Sequence, residues 1–210
     1  MKNTLFPANV SSLKLSKWTR YPSTLSRTLA FKRVYLTLFS LTIFITLPAC
    51  YADTDIQARQ KAYLAQAFKG ANVQEYKIWL LGDKKATVAK ILGHNYKQMR
   101  VGYWTTPGNF SPSARRVWFL QEIGKDKYID VAITIENNAI QQLRILKFRE
   151  SRGWEVKLPF FTKQFEQNTL TSDLKLSKKI DNISGATLSY RAVTNLAKMA
   201  LYLNSQIKPK

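Results

Sequence analysis

Nine residues toward the C-terminal end, Asp181 to Ser189 (DNISGATLS), hold the side chains best suited to gripping a ligand. Gly185 and Ala186 remove side-chain bulk, so a ligand can come close to the backbone. Ser184 and Thr187 set two hydroxyls within hydrogen-bond reach of that same backbone. Val193, Leu196, Ala197, Ala200 and Leu201 follow at the spacing of an amphipathic helix. The small-residue turn therefore feeds a helix N-terminus, where free N–H groups and the dipole favour an anion such as phosphate. An ordinary helix start, capped by Thr187 or Ser189, accounts for the same residues.

A second polar cluster lies upstream, Arg149 to Glu155 (RESRGWE), with Glu150, Ser151, Arg152, Gly153 and Trp154 in sequence. Asp181, Ser184, Gly185, Ala186, Thr187 and Ser189 together resemble the flavinylation motif of the FMN-binding domain family. That family includes the FMN-carrying C and G subunits of sodium-pumping NADH:quinone reductase and of Rnf-type complexes. The resemblance implies that the Thr187 hydroxyl carries FMN through a phosphoester bond. A periplasmic flavin transferase makes such a bond from FAD and releases AMP. The upstream cluster resembles the family's Glu-Thr-x-Gly loop, which lies close to the isoalloxazine ring; Ser151 stands where many members have threonine, so the hydroxyl is kept. Beside that loop, Trp154 is placed to stack on the ring. Arg149 and Arg152 either face the ring's electron-rich edge, raising the flavin's potential, or are solvated or paired with Glu150 or Glu155. The resemblance runs from about Asp55 to Asn204 and is least specific in its N-terminal third.

Other chemistries lack their residues. His94 is the sole histidine and Cys50 the sole cysteine. One histidine does not build a multi-ligand metal site, and after Gly93 it is expected to cap a helix end. No intramolecular disulfide can form, and a fold without a thiol holds no iron–sulfur cluster. Trp79, Trp104 and Trp118 are expected in the core.

Residues 1–52 hold seven Lys or Arg and no acid, an apolar run from Val34 to Leu47, and small residues before Asp53. That is the layout of a secretory signal, and the run is shorter than the roughly 20 residues of a membrane span. Residues 1–52 are thus expected to be a signal peptide and 53–210 one FMN-binding domain, exported to the periplasm. Leu47-Pro48-Ala49-Cys50 also resembles a lipobox, which would anchor the chain to the membrane through Cys50. Without the leader, 26 Lys and Arg face 13 acids, a net charge of +13. In an exported chain this favours an anionic membrane surface or an acidic redox protein over nucleic acid.

The elements that must position the two clusters follow from periodicity. Asp55–Phe68 reads as a helix with Ala62, Leu64, Ala65 and Phe68 on its apolar face, and Lys84–Leu92 as a second helix closed by Gly93. Tyr76–Leu81 and Met99–Thr105 read as extended. Residues 116–123, 128–135 and 139–148 are rich in aromatic and β-branched residues, and Ile129, Val131, Ile133 and Ile135 alternate with Asp130, Ala132 and Thr134; the short turns between the runs make them pair as an antiparallel meander. The expected architecture is α+β: an antiparallel sheet, the three-strand meander at its centre, packed with N-terminal helices and a C-terminal helix. Functionally, the leading expectation is an electron-transfer flavoprotein with covalent FMN, served by a flavin transferase and a redox partner or membrane electron donor. The alternatives are an FMN-dependent reductase or accessory subunit acting on a small substrate, and a basic exported binding module outside redox chemistry.

Overall fold

Strands β1 (Gln74–Trp79), β2 (Arg100–Thr105), β3 (Arg116–Ile123), β4 (Tyr128–Glu136) and β5 (Ala139–Phe148) form one sheet in sequence order. Every neighbouring pair is antiparallel. The structure, a computed structural model, describes residues 51–208. Residues 1–50 of the expected signal peptide, Cys50 among them, lie outside the described residues; its last two, Tyr51 and Ala52, open the first helix. The expected three-strand meander is continued by β2, which the Pro107–Pro112 loop returns to β3, and by β1, whose connection to β2 runs through a helix.

Alternation sorts the side chains onto two faces. Trp118, Leu120, Val131, Ile133, Ile135 and Leu143 point to one face and are buried there against the C-terminal helix α4 (Thr187–Ser205) and α2 (Asp83–Leu92). Val117, Ala132 and Leu146 point to the other, under α1 (Tyr51–Ala67). The α1 face differs from expectation: Ala62 and Ala65 are exposed, while Tyr63 is buried and joins Phe68. Tyr63 wins its place because its ring packs edge-on to Phe119 and its hydroxyl meets Thr134 Oγ1 at 2.8 Å. Trp118 is buried as expected and Trp104 packs edge-on against Phe119. Trp79 does not join the core; it ends the edge strand β1 and is 55% exposed.

Past β5 the chain makes a 3-10 turn (Trp154–Lys157), a single helical turn α3 (Pro159–Thr162) and a second 3-10 turn (Lys163–Phe165). Phe161 and Phe165 from this bridge are fully buried, edge-on to each other, and Phe161 also meets Tyr190 of α4. Burying each phenyl ring stabilises the bridge by about 1.5–3 kcal/mol, which fastens the end of β5 to α4. The buried Asn168 accepts from Lys178 N and donates to the Gln164 carbonyl, closing the polar stretch 168–178 on itself. At the far end of α4, Asn204 joins the buried Arg116 and Asn138. Among the described residues, no helix is long and apolar enough to cross a membrane.

Candidate functional site

β5 ends at Phe148, the register partner of Ile129 at the start of β4. The residues after β5 therefore emerge beside the turn that precedes β4. Arg149 is spent on this junction: Nη1 donates to the Tyr128 carbonyl at 3.0 Å, and Nη2 lies 2.6 Å from Asp130 Oδ2. It pairs with neither Glu150 nor Glu155, because the strand register already puts an acid beside it. Glu150 Oε1 accepts three backbone N–H bonds, from Lys125, Asp126 and Lys127 at 2.6, 2.8 and 2.9 Å. Burial works against its charge, but the three donors and nearby Lys125 hold its pKa below the ordinary carboxylate value. Glu150 thus staples the β3–β4 turn, and Ser151 and Arg152 stand exposed beyond it.

Gly153 then reverses the chain with φ +80°, a conformation that costs other residues about 1–2 kcal/mol. The site of its missing side chain is filled by the second cluster: a Cβ there would lie 3.0 Å from Ser189 Oγ and 3.3 Å from Ala186 Cβ. The two polar clusters, separated in sequence by the 25 residues 156–180, are in direct contact through this glycine.

On the other side, Tyr190 Oη donates to the Ile180 carbonyl and Asp181 N donates to Gln164 Oε1. These bonds fix the entry to the motif. A turn follows, closed by Ala186 N donating to the Ile183 carbonyl at 3.0 Å, with Gly185 at φ +81°. α4 starts at Thr187 with Ala186 as its capping residue and no side-chain cap bond. Neither Thr187 nor Ser189 caps the helix: Thr187 is exposed, and Ser189 is buried under Gly153. The helix start therefore keeps its anion-binding capacity.

Between the clusters lies a cleft of about 560 Å³, within the usual range for ligand pockets. Glu150, Ser151 and Arg152 line it from one cluster and Gly185, Ala186, Thr187 and Ser189 from the other, and Lys125 and Leu188 complete the lining. Lys125 and Arg152 bring positive charge to a cleft whose one acid, Glu150, is engaged by backbone donors. This suits a phosphate. Asp181 and Ser184 are exposed and outside this lining. Trp154, 51% exposed, stands next to Gly153 and also outside it.

Sequence reasoning missed Lys125 and Leu188. The signal was available for Lys125: in a meander, the turn before β4 must neighbour the residues after β5. His94 is a correction. Gly93, at φ +83°, closes α2 alone, and His94 Nε2 instead lies 3.0 Å from Glu122 Oε2. Partial burial opposes its charge, yet the Asn95 carbonyl and Glu122 raise its pKa above the ordinary histidine value.

The model of one protein family, the FMN-binding domain, matches residues 124–202. That segment begins at the β3–β4 turn, includes both polar clusters and ends within α4. No curated protein gives a match to the chain.

Proposed function

We propose that this chain is an exported electron-transfer flavoprotein with FMN esterified to Thr187, a reading supported by the match of residues 124–202 to the FMN-binding domain family. One observation carries the reading: Thr187 is exposed in the uncapped first turn of α4, in the lining of a cleft that the Glu150–Arg152 loop also lines. The residues present fit the cofactor. The free helix start, Lys125 and Arg152 suit a phosphate, and Gly185 leaves the backbone bare on the cleft wall, with open space where a side chain would stand.

In the proposed attachment, the Thr187 oxygen forms a bond to the flavin-side phosphorus of FAD. The pyrophosphate bond to AMP breaks, and the hydroxyl proton leaves with AMP. Ser184, Gly185, Ala186 and Ser189 keep the acceptor uncrowded, and the exposed Asp181 carboxylate orients the motif or its transferase. Bound FMN supplies one- and two-electron redox chemistry. Around it, this chain would hold the phosphate end at α4 and set Ser151 and Arg152 beside the cleft, with the exposed Trp154 just outside the lining. The mobile partner would be a membrane electron donor or a second redox protein, drawn in by the basic surface.

The test is a visible spectrum of protein purified from its own periplasm, recorded native and after denaturation and washing. A flavin band that survives both, with fast electron exchange to a redox protein and slow turnover of small acceptors, supports the proposal. Colourless protein contradicts it. Rapid turnover of a small acceptor without a protein partner replaces the carrier with a reductase.

A further inference from the structure

The end of the β1–β2 pair, on the edge of the sheet, carries large apolar side chains that nothing in the described fold covers. Trp79 is 55% exposed, Leu81 58% and Met99 46%. Trp79 and Arg100 are register partners, so they share a face, and the guanidinium lies 5.9 Å from the indole centroid. Met99 stands on the opposite face, since Leu80 N donates to its carbonyl, and Lys85 Nζ approaches its sulfur at 3.6 Å. Leu81 sits in the turn between β1 and α2, where Lys84 N donates back to the Leu81 carbonyl. The apolar groups thus crown a tip rather than pave a flat face. Between Tyr76 and Val101 the chain has six Lys or Arg and one acid, Asp83.

We propose that this tip, Trp79, Leu81 and Met99 ringed by Lys84, Lys85 and Arg100, docks the protein on an anionic phospholipid surface. Indole and aliphatic groups partition into the headgroup boundary, and flexible lysines reach back to the lipid phosphates while their stems cover apolar surface. A protein partner fits less well, because a stable interface takes about 20–30 residues a side with a flat, packed centre. Three exposed apolar groups at one end of the sheet are enough to enter a bilayer interface. The docking also orients the redox site. Asn195 Nδ2 of α4 donates to the Leu92 carbonyl at the far end of α2, so the helix that starts at the tip is braced against the helix that bears Thr187. The proposal goes beyond the flavin reading and does not depend on it.

The experiment is vesicle co-sedimentation of the exported chain carrying Cys50→Ser, so that no acyl anchor contributes. Vesicles of equal parts phosphatidylglycerol and phosphatidylethanolamine are compared with vesicles of phosphatidylcholine alone. The expected result is salt-sensitive binding to the anionic vesicles only. Removing each lysine by Lys84→Gln or Lys85→Gln weakens it about fivefold. Trp79→Ala with Leu81→Ser, both exposed positions, abolishes insertion and the accompanying blue shift of tryptophan emission, while far-ultraviolet circular dichroism stays unchanged. Binding that survives the Trp79/Leu81 variant overturns the assignment of the tip. No binding to either vesicle, including the case where an acidic redox protein binds the tip instead, overturns lipid docking altogether.

Discussion

Gly153→Ala asks whether the two polar clusters form one packed unit. The substitution carries two separable costs. Holding alanine at φ +80° costs about 1–2 kcal/mol. The new Cβ also meets Ser189 Oγ at 3.0 Å and Ala186 Cβ at 3.3 Å. The first neighbour can rotate; the second is fixed to the backbone at the start of α4, and overpacking of this kind costs about 1–3 kcal/mol. Gly185→Ala is the matched control, since its φ is +81° and a Cβ there meets nothing within 4 Å. It incurs only the conformational cost. Gly153→Ala should therefore unfold several degrees below Gly185→Ala, at about 2–4 °C per kcal/mol for a chain of this size. Both are measured by thermal melting on flavin-free protein. Adding Ser189→Ala to Gly153→Ala should restore part of the difference. Equal losses from the two glycine variants would refute direct contact between the clusters.

Glu150→Gln should weaken the β3–β4 turn. Glu150's lowered pKa contributes stability that is fully present above its unfolded value of about 4.5 and lost as pH falls below it. The variant's urea midpoint should accordingly depend less on pH between pH 5 and pH 3 than the parent's, on the order of one carboxylate's titration. Arg149→Ala should cost about 2 kcal/mol in chemical denaturation, below the 3–5 of fully buried pairs because its guanidinium is about one-third exposed. Arg152→Ala should change stability by less than about 0.5 kcal/mol. It should lower the potential of bound flavin in a spectroelectrochemical titration by the equivalent of about 1–3 kcal/mol, the scale of a hydrogen bond to a charged group. Asp181→Ala should keep its fold by circular dichroism, because only the Asp181 backbone is bonded, yet it should be flavinylated slowly in a timed gel-fluorescence assay.

Much of the fold is legible in the sequence where a pattern is local. The alternation in 128–135, the apolar stripe from Val193 to Leu201 and the turn glycine after α2 each dictate their element without outside help. What escaped depends on partners distant in sequence. Tyr63 was hidden because its value lies in meeting Thr134 and Phe119, whereas Ala62 and Ala65 carry only their own apolar character. Trp79 was expected inside by residue type, and only the strand order reveals that β1 is an edge. His94 has a neighbour, Glu122, that no spacing predicts. The site divides in the same way. Gly185, Ala186 and Thr187 announce a bare helix start from sequence alone, and the resemblance supplied the meaning of Glu150 to Gly153. That Gly153 opposes Ala186 and Ser189, and that Glu150 is bound to the β3–β4 turn, required the folded chain.

The central claim rests on the hydroxyl of Thr187, and peptide mass spectrometry tests it most directly. The chain is produced with an active flavin transferase, digested, and the peptide holding Thr187 is weighed and fragmented. The account predicts that this peptide gains the mass of FMN less one water, with the added group on Thr187, and that Thr187→Ala abolishes the gain while folding normally because the side chain is exposed and caps nothing. An unmodified Thr187 peptide from wild-type protein made under those conditions, or flavin retained covalently by Thr187→Ala, would contradict it.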